Sequence, residues 1–464
     1  MLRLFRHYVP HSFLWLGAIE AAILLLSIYL GAWLRFGGDD GAVEDVEPLW
    51  PKAVLFALVM ISVMTAVGLY KANLRDGFAG MLLRTGISIL LGFGLMSLAF
   101  YIFPSLFLGR GAFGLSFGIA LGGIICARLV FFRVIDQEAL KKRIVVLGTG
   151  TRAGQIAQRM RRKVDRRGFA IIGYVHVPGE HVTVDEGEVL RLDIPLLEFA
   201  NRHRIDEIVV AVEDRRKNFP VHELLDCKMS GIEVVDMPAF FERQAGLIRL
   251  DLLHPSWLIF SDGFLTSSLR DYNKRIFDVV ASLLILALAW PVMIIAALAI
   301  LIESGGRGPV FYRQVRVGQN WELIEVLKFR SMRVDAEKDG PQWASKKDSR
   351  VTRVGAFIRK VRIDELPQLF GVLTGRMSFV GPRPERPEFV EQLSQNIPYY
   401  AERHRVKPGI TGWAQIRYAY GSSEQDAIEK LQYDLYYVKN HSLFLDLMIL
   451  FQTAEVILWG RGAR

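Results

Sequence analysis

Apolar residues in the first third of the chain are grouped into four long segments with short polar stretches between them. The segments cover residues 13–34, 53–70, 82–103 and 113–132. Each is close to the ~20 residues that a helix needs to cross about 30 Å of hydrocarbon. Four such segments in succession predict a membrane bundle and argue against the alternative, a buried helical core in a water-soluble protein.

Charged residues near the ends of these segments orient the predicted bundle. Arg3 and Arg6 precede the first segment, the loop over residues 39–47 is acidic, and basic residues at 133–143 follow the fourth segment. Because cytoplasmic loops carry an excess of Lys and Arg, both ends of the bundle are expected to face the cytoplasm. The first helix is expected to be retained, since no small-residue cleavage pattern follows it. Arg128 is expected to extend its guanidinium to the membrane interface.

Composition agrees with a membrane protein that also carries cytosolic domains. Of the 464 residues, 51% are hydrophobic, and the net charge is +9. Cys126 and Cys227 are far apart in the sequence, so they predict neither a disulfide framework nor a zinc site. A reducing compartment is therefore expected.

After Lys142, short apolar runs typical of buried strands alternate with helical stretches. The strand-like runs fall at 143–147, 170–177, 207–212 and 232–236. This alternation predicts a Rossmann-like α/β domain with a parallel sheet of about four strands and crossover helices.

Three glycines, Gly148, Gly150 and Gly154, lie at the first strand-to-helix turn and are candidates for a nucleotide-binding loop. Glycines there let a phosphate approach backbone N–H groups at a helix N-terminus. The spacing is GxGxxxG instead of GxGxxG, and the second strand is followed by His176 and only later by Glu180. Glycines that merely permit tight strand–helix packing explain the loop equally well, so no NAD is assigned.

A fifth apolar segment, residues 277–302, is long enough to span the bilayer once. Basic residues precede it, including Arg270 and Lys274, and Arg307 follows, so both flanks have the character of cytoplasmic loops. Pro291, near its middle, removes a backbone donor and bends a helix. These features predict a re-entrant helix that bends at Pro291 and returns to the same face. A fifth spanning helix with a tolerated proline is the alternative.

The region after this segment is strongly basic and then presents two adjacent carboxylates, Asp364 and Glu365. Pro367 fits only the first turn of a helix, which predicts that Asp364 lies at or near the N-cap. The helix dipole and neighbouring arginines would then favour its ionised form. An ionised aspartate can attack phosphorus, while Glu365 could bind or position Mg²⁺. For the pair alone, a plain N-cap aspartate is the alternative.

The basic residues indicate a polyanionic partner. Nucleic acid is not predicted, because interleaved aromatic residues and a recognised binding motif are missing, and the apolar segment directs this surface towards phospholipid. Near the C-terminus, residues 443–459 are read as an interfacial helix, with a core helix as the equal alternative.

Five motifs follow one another from Lys274 onwards. They are Lys274-Arg275-Ile276-Phe277-Asp278, Lys328-Phe329-Arg330-Ser331-Met332, Asp364-Glu365-Leu366-Pro367-Gln368-Leu369, Gly381-Pro382-Arg383-Pro384 and Lys407-Pro408-Gly409-Ile410-Thr411-Gly412-Trp413-Ala414-Gln415. Together they resemble the bacterial sugar transferases that start glycan assembly on a lipid carrier, the polyprenyl-phosphate hexose-1-phosphate transferases. The whole layout resembles the large members that initiate exopolysaccharide or O-antigen synthesis. The chain departs from that family's pattern at Gly371, Arg376 and Trp290.

The resemblance implies a membrane protein with α and α/β parts. The expected parts are a four-helix transmembrane bundle (1–138), a Rossmann-like domain (139–268) and an α-rich catalytic domain (269–464) with a re-entrant helix at about 277–302. It also implies roles for individual residues. These are Asp364 as nucleophile, Glu365 with Asp364 as ligands of Mg²⁺ or Mn²⁺, Arg359, Arg383, Lys328 and Arg330 as phosphate or substrate contacts, and Pro291 as the break in the membrane helix.

The implied reaction has two halves. Asp364 attacks the sugar-linked phosphorus of a UDP-sugar and expels UMP, and undecaprenyl phosphate then takes the phosphosugar from the enzyme. The expected partners are the UDP-sugar, undecaprenyl phosphate and membrane lipids, the layout is compatible with a homodimer, and the expected location is the cytoplasmic membrane of a bacterium. The identity of the hexose is left open. As alternatives, the Rossmann-like domain is a nucleotide-sugar oxidoreductase or dehydratase, or a scaffold that recruits polysaccharide-export partners.

Overall fold

The computed structural model describes most of the chain and divides into two compact units. The described residues are 2–4, 7–9, 11–37, 47–70, 77–135, 141–160, 166, 168–214, 216, 219–264, 268–336, 350–418, 421 and 423–458. The first unit comprises Met1–Leu2 and Tyr8–Gln244, and the second comprises Arg3–His7 and Ala245–Arg464.

After the short strands β1 (Leu2–Leu4) and β2 (His7–Val9), the first unit contains four apolar helices. They are α1 (His11–Phe36), α2 (Leu49–Ala66), α3 (Gly77–Ile102) and α4 (Arg110–Ile135). Each is long and apolar enough to cross a membrane. The prediction of several apolar helices near the N-terminus is therefore confirmed. Most of the acidic loop used to orient them, residues 38–46, lies outside the described residues.

Arg128 is fully buried, which differs from its expected place at the membrane interface. Its Nε lies 2.6 Å from Glu20 Oε1, and its Nη2 donates to Glu20 Oε2 over 2.9 Å. The Tyr70 hydroxyl donates to the same carboxylate over 2.5 Å. A charge among apolar helices needs such a partner. With Glu20 in reach, the guanidinium pairs inside the bundle instead of extending to the surface.

A five-stranded parallel sheet follows in the same unit. Its strands are β3 (Lys142–Leu147), β4 (Phe169–Val175), β5 (Val189–Leu190), β6 (Glu207–Val210) and β7 (Glu233–Asp236). The order β5-β4-β3-β6-β7 is that of a doubly wound, Rossmann-like sheet. The predicted parallel sheet is confirmed. The edge strand β5 escaped prediction because it has only two residues.

Among the described residues, three α-helices connect strands of this sheet, and a fourth follows β7. They are α5 (Thr151–Arg159), α6 (Leu196–Arg202), α7 (Val221–Met229) and α8 (Met237–Ala245). All four residues of β6 are buried. Three of them, Ile208 to Val210, are apolar, as expected for a central parallel strand, and the buried carboxylate of Glu207 pairs with Lys142 and Arg243.

The second unit is mainly helical. Its helices are α9 (Pro255–Phe260), α10 (Ser268–Glu303), α11 (Arg353–Lys360), α12 (Gln368–Leu373), α13 (Pro387–Asn396), α14 (Trp413–Arg417), α15 (Glu424–Asn440) and α16 (Leu443–Leu458). Strands β8 (Phe311–Val317) and β9 (Leu323–Phe329) form an antiparallel hairpin, and β10 (Ser378–Val380) pairs in parallel with β11 (Gly409–Thr411). Trp413, Tyr436 and Tyr437 are the largest side chains of its core.

Helix α10 is the fifth described helix that is long and apolar enough to cross a membrane. Its 36 residues continue through Pro291. Asp278 and Ser282 are buried in its first half, and Ala296 and Ile300 in its second half. No residue between Ser282 and Ala296 is buried. The two halves of α10 therefore pack against protein while its middle does not.

Helix α16 belongs to the core of the second unit. Leu445 and Ile449 are completely buried, and so is the charged side chain of Asp446. Lys274 Nζ donates to Asp446 Oδ2 over 2.8 Å, which compensates for that burial. This favours the core alternative over the interfacial one for the residues of α16, while residue 459 lies outside the described part of the chain.

Candidate active site

Asp364 and Glu365 lie in a 3-10 turn, Ile363–Glu365, between α11 and α12. Arg362, just before the turn, has a left-handed backbone conformation with φ 59°. The N-cap of α12 is Pro367, which itself has helical dihedral angles. Asp364 therefore lies near the N-cap, three residues before it, and is not the N-cap itself. The chain stays helical between the turn and Pro367, so the carboxylate pair lies nearly one turn before α12.

Three cations surround the carboxylate of Glu365. Lys328 Nζ donates to Oε1 over 3.2 Å, and Arg383 Nη2 donates to the same oxygen over 3.0 Å. Arg362 Nε lies 4.0 Å from Oε2. Burial alone would raise the pKa of Glu365, but Lys328 and Arg383 outweigh that effect and hold the pKa far below its usual value. Glu365 is therefore ionised before any substrate binds.

Asp364 is as buried as Glu365, each being 8% exposed, but its surroundings differ. No hydrogen bond or ion pair joins its carboxylate to another residue in the described parts of the chain. Burial, followed by the charge of Glu365, raises the pKa of Asp364 against the lowering effect of Lys328 and other cations. The direction is opposite to the one expected from the sequence. Two adjacent carboxylates thus have environments that push their pKa values apart, which is how paired carboxylates acquire different roles.

Two strands supply the closest cations. Lys328 lies near the end of β9. Burial lowers its pKa, and the charge of Glu365 offsets only part of that effect. Arg383 follows β10, in the segment that begins at Gly381. A Cβ atom on Gly381 would collide with the carbonyl oxygen of Lys407, so only glycine lets the two chain segments approach this closely.

Arg383 is held in place by residues that the sequence analysis did not single out for a role. Gln415 Oε1 accepts a hydrogen bond from Arg383 Nη1 over 3.1 Å. Arg403 Nη2 donates to the main-chain oxygen of Arg383 over 3.1 Å and to Asp434 Oδ2 over 2.8 Å. Gln415 ends one of the quoted motifs and could have been found there. Arg403 and Asp434 carry no local signal, because their pairing joins distant parts of the chain.

The remaining residues predicted for the site do not all lie beside the carboxylate pair. Arg359, in the last turn of α11, acts on Asp364 through its charge. Arg330 Nη1 donates to the main-chain oxygen of Arg307 over 3.1 Å, beyond the end of α10, and its contact with phosphate stays a prediction. Pro291 lies in the unburied middle of α10. The structure therefore groups Lys328, Arg359 and Arg383 with the carboxylate pair.

The first half of α10 is bonded to the elements on both sides of the site. Arg275 donates to two carbonyl oxygens at the end of α12, those of Val372 over 2.5 Å and Leu373 over 2.6 Å. Asp278 Oδ1 accepts from the main-chain N–H of Phe379, in β10, over 3.0 Å. The apolar helix is thus connected directly to the supports of Glu365 and Arg383.

The carboxylate pair fits a hard dication in the kind of donor atoms it offers. The described residues contain no group of three His, Cys, Asp or Glu side chains that could hold a metal ion. Mg²⁺ that binds together with substrate phosphates needs only one or two carboxylates. Both oxygens of Asp364 could serve, and so could Oε2 of Glu365, because Lys328 and Arg383 donate to Oε1 and Arg362 Nε lies 4.0 Å from Oε2.

Gly148 and Gly150 lie at the turn from β3 to α5, as predicted, and Gly154 lies in the first turn of α5. Gly148 has a φ of +122°, and Gly150 is the N-cap of α5. Main-chain N–H groups of this turn donate to the carboxylates of Glu180 and Glu213. The sequence analysis did not single out Glu213.

Two family models match the chain. The model described as bacterial sugar transferase matches residues 269–460, and the one described as CoA-binding domain matches residues 65–225. The first therefore covers every residue of the carboxylate and cation cluster and all of α10 except Ser268.

Several curated proteins are similar in sequence. The UDP-N-acetylgalactosamine-undecaprenyl-phosphate N-acetylgalactosaminephosphotransferase of Aeromonas hydrophila is 43% identical over 241 residues, 52% of this chain and 56% of that protein. The undecaprenyl-phosphate glucose phosphotransferase of Komagataeibacter xylinus is 34% identical over 334 residues, 70% of this chain and 60% of that protein. The chain thus spans less than two thirds of either relative.

A third relative is matched over more of its length. The UDP-glucose:undecaprenyl-phosphate glucose-1-phosphate transferase of Escherichia coli (strain K12) is 34% identical over 344 residues, 72% of each chain. The matching family model and this coverage lead to one conclusion. The chain belongs to the bacterial sugar transferase family, among relatives named as undecaprenyl-phosphate sugar phosphotransferases.

Proposed function

We propose that this chain transfers a sugar 1-phosphate from a UDP-sugar to undecaprenyl phosphate, releasing UMP. The observation that carries the proposal is the carboxylate of Asp364, which has no hydrogen bond or ion pair with another described residue and lies beside Glu365, which three cations hold ionised. The relatives support the substrates, since their names give undecaprenyl phosphate as acceptor and glucose or N-acetylgalactosamine as the sugar.

In the first half-reaction, an oxygen of Asp364 attacks the phosphorus that carries the sugar. A bond forms between that oxygen and phosphorus, the bond to the bridging oxygen breaks, and UMP leaves with that oxygen. The product is an aspartyl phosphosugar. The attacking form is the carboxylate. Because burial and the charge of Glu365 raise the pKa of Asp364, that negative charge is poorly solvated, and forming the bond to phosphorus relieves it.

In the second half-reaction, an oxygen of undecaprenyl phosphate attacks the same phosphorus. The acyl phosphate bond breaks, Asp364 regains its carboxylate, and undecaprenyl-diphospho-sugar leaves. One phosphoanhydride replaces another, so the protein contributes alignment and charge neutralisation. Lys328 and Arg383 are the cations fixed closest to the pair, and Arg359 adds charge beside Asp364. Mg²⁺ or Mn²⁺, when bound by the two carboxylates and the diphosphate, would neutralise charge on the phosphate oxygens.

Two contacts of α10 support a re-entrant arrangement. Arg275, near its start, bonds to the end of α12, while Glu303, at its end, accepts from the main-chain N–H of Arg353 over 2.8 Å at the start of α11. The carboxylate turn lies between those two helices. A straight helix of this length would measure ~54 Å, far more than one bilayer crossing requires. Because both ends of α10 bond to the helices that flank the carboxylate turn, we expect both ends on the cytoplasmic face, with the unburied middle around Pro291 in the lipid.

The arrangement of α10 is testable by labelling with a membrane-impermeant maleimide. In a background with Cys126 and Cys227 replaced by alanine, Asn273→Cys and Arg307→Cys should both react only from the cytoplasmic side, in inverted vesicles. Trp290→Cys should not react, because it would lie among acyl chains. Reaction of the first two positions from opposite sides would show that α10 crosses the membrane. Glu47→Cys, expected outside, serves as the control for sidedness.

The proposed reaction predicts which nucleotide is released. The full chain in lipid nanodiscs, supplied with Mg²⁺ and undecaprenyl phosphate, should release UMP from at least one of UDP-glucose, UDP-galactose and UDP-N-acetylgalactosamine. Continued turnover should require the lipid acceptor, and chelation of Mg²⁺ should slow it. Release of UDP would indicate ordinary glycosyl transfer and contradict the proposal, as would no UMP from any of these donors.

We propose that this step begins exopolysaccharide or O-antigen assembly.

A further inference from the structure

Two carboxylates of the protein occupy main-chain amides of the glycine-rich turn between β3 and α5. Thr149 N–H donates to Glu180 Oε2 over 2.9 Å, and Thr151 N–H donates to Glu213 Oε1 over 2.5 Å. The second oxygen of Glu180, Oε1, accepts from the N–H of Glu213 over 2.9 Å. Glu180 and Glu213 thus form one continuous chain of hydrogen bonds across the turn.

This chain lies where open parallel sheets usually bind a phosphate. β3 and β6 are neighbours in the sheet, and the strand order reverses between them. The strands that follow β3 lie on one side, and the strand that follows β6 lies on the other. The crevice at their carboxyl ends is the place that receives a dinucleotide in Rossmann-type enzymes, with the pyrophosphate on the amides of the first turn. Glu180 bridges that crevice, because it accepts one bond from each of the two loops that border it.

The space freed by the glycines is also used by the protein's own atoms. A Cβ on Gly150 would lie 2.7 Å from Glu213 Oε1, and a Cβ on Gly154 would lie 2.9 Å from the hydroxyl of Thr183. That hydroxyl donates to the main-chain oxygen of Gly150 over 2.7 Å. The glycines therefore make room for Glu213 and Thr183. These two side chains fill the space through which a phosphate would approach the turn.

We propose that this turn is a self-filled anion site, in which Glu180 and Glu213 take the place of a pyrophosphate. A dinucleotide or coenzyme A entering here would have to remove carboxylates from three charge-assisted hydrogen bonds and bring its own negative charges beside them. The Rossmann-like domain then binds neither NAD(P) nor coenzyme A through its glycine-rich turn. This excludes an oxidoreductase role that relies on the turn, and it is independent of the proposed transferase reaction.

Hydrogen exchange of the amides tests this directly. In the ligand-free full chain, mass spectrometry should show slow exchange in peptides covering Thr149 and Thr151. Addition of NAD⁺, NADPH or coenzyme A at about 1 mM, which fills half of any site with a Kd of that size and more of a tighter site, should leave that exchange unchanged. Fast exchange without ligand, or protection that appears on adding any of the three, would overturn the proposal.

A variant identifies the groups responsible for protection. Glu180→Gln keeps the shape of the side chain but removes its charge, and exchange at Thr149 should become at least about tenfold faster because the charge-assisted bond weakens. Glu186→Gln, an exposed glutamate of the same domain, is the matched control and should leave exchange unchanged. Unchanged exchange in Glu180→Gln would contradict the assignment. If that variant fails to fold, the ligand experiment on the unmodified chain still decides.

Discussion

Replacement of Asp364 with Asn is expected to lower UMP release by about 10⁴-fold or more, the scale of losing a covalent nucleophile. The amide has nearly the shape of the carboxylate, so the packing around the turn should persist. It has no negative charge, however, and cannot form the acyl phosphate. Because Asp364 has no hydrogen bond to another described residue, the change should leave the cation cluster on Glu365 intact. Initial rates of UMP release would measure the effect.

A labelling experiment separates loss of the nucleophile from loss of folding. With a donor radiolabelled in the sugar and no lipid acceptor, the unmodified chain should retain label on protein and release an equal amount of UMP. Asp364→Asn should retain none, whereas Asp271→Asn, an exposed aspartate at the start of α10, should behave like the unmodified chain. Turnover retained by Asp364→Asn would rule out Asp364 as the nucleophile.

Replacement of Glu365 with Gln is expected to reduce turnover by about 10²- to 10³-fold, the range seen when a preorganised electrostatic contact is lost. Lys328 and Arg383 would lose the charge that both now contact through Oε1. The same change removes a negative neighbour that raises the pKa of Asp364. The pKa of Asp364 should therefore fall, and the acid limb of the pH–rate profile should move to lower pH.

The two effects together distinguish a catalytic change from a general loss of structure. A poorly folded variant would lose turnover at every pH without moving the acid limb. The control Glu391→Gln, on an exposed surface of α13, should alter neither quantity. An acid limb that moves to higher pH in Glu365→Gln would mean that Glu365 does not act on Asp364 as the structure indicates.

Patterns local in the sequence were sufficient for the large elements and for part of the site. The apolar segments predicted helices α1 to α4, and the strand-like runs predicted four of the five parallel strands. The motifs predicted that Asp364, Glu365, Lys328 and Arg383 belong to one site. Each of these predictions depends on residues that are close in sequence or on a recognisable motif.

The errors came from contacts between distant residues. Arg128 was expected at the interface because its partner Glu20, 108 residues away, cannot be recognised from the helix that carries Arg128. The direction of the pKa shift of Asp364 depends on burial, which a count of nearby arginines does not include. Glu213 reaches the glycine-rich turn across the sheet, so its role follows from the strand order and not from its neighbours in sequence.

The pairing of β10 with β11 explains why Arg383 and Gln415 meet. The strands are parallel, with Val380 opposite Thr411. Arg383 and Gln415 come shortly after the ends of these strands. Carboxyl ends of parallel strands share one edge, which is where open sheets gather their functional groups. In the five-stranded sheet, Glu180 and Glu213 fill the carboxyl edge at the turn after β3. In the two-stranded sheet of β10 and β11, the carboxyl edge carries Arg383. The extent of a sheet is thus a poor guide to where chemistry resides.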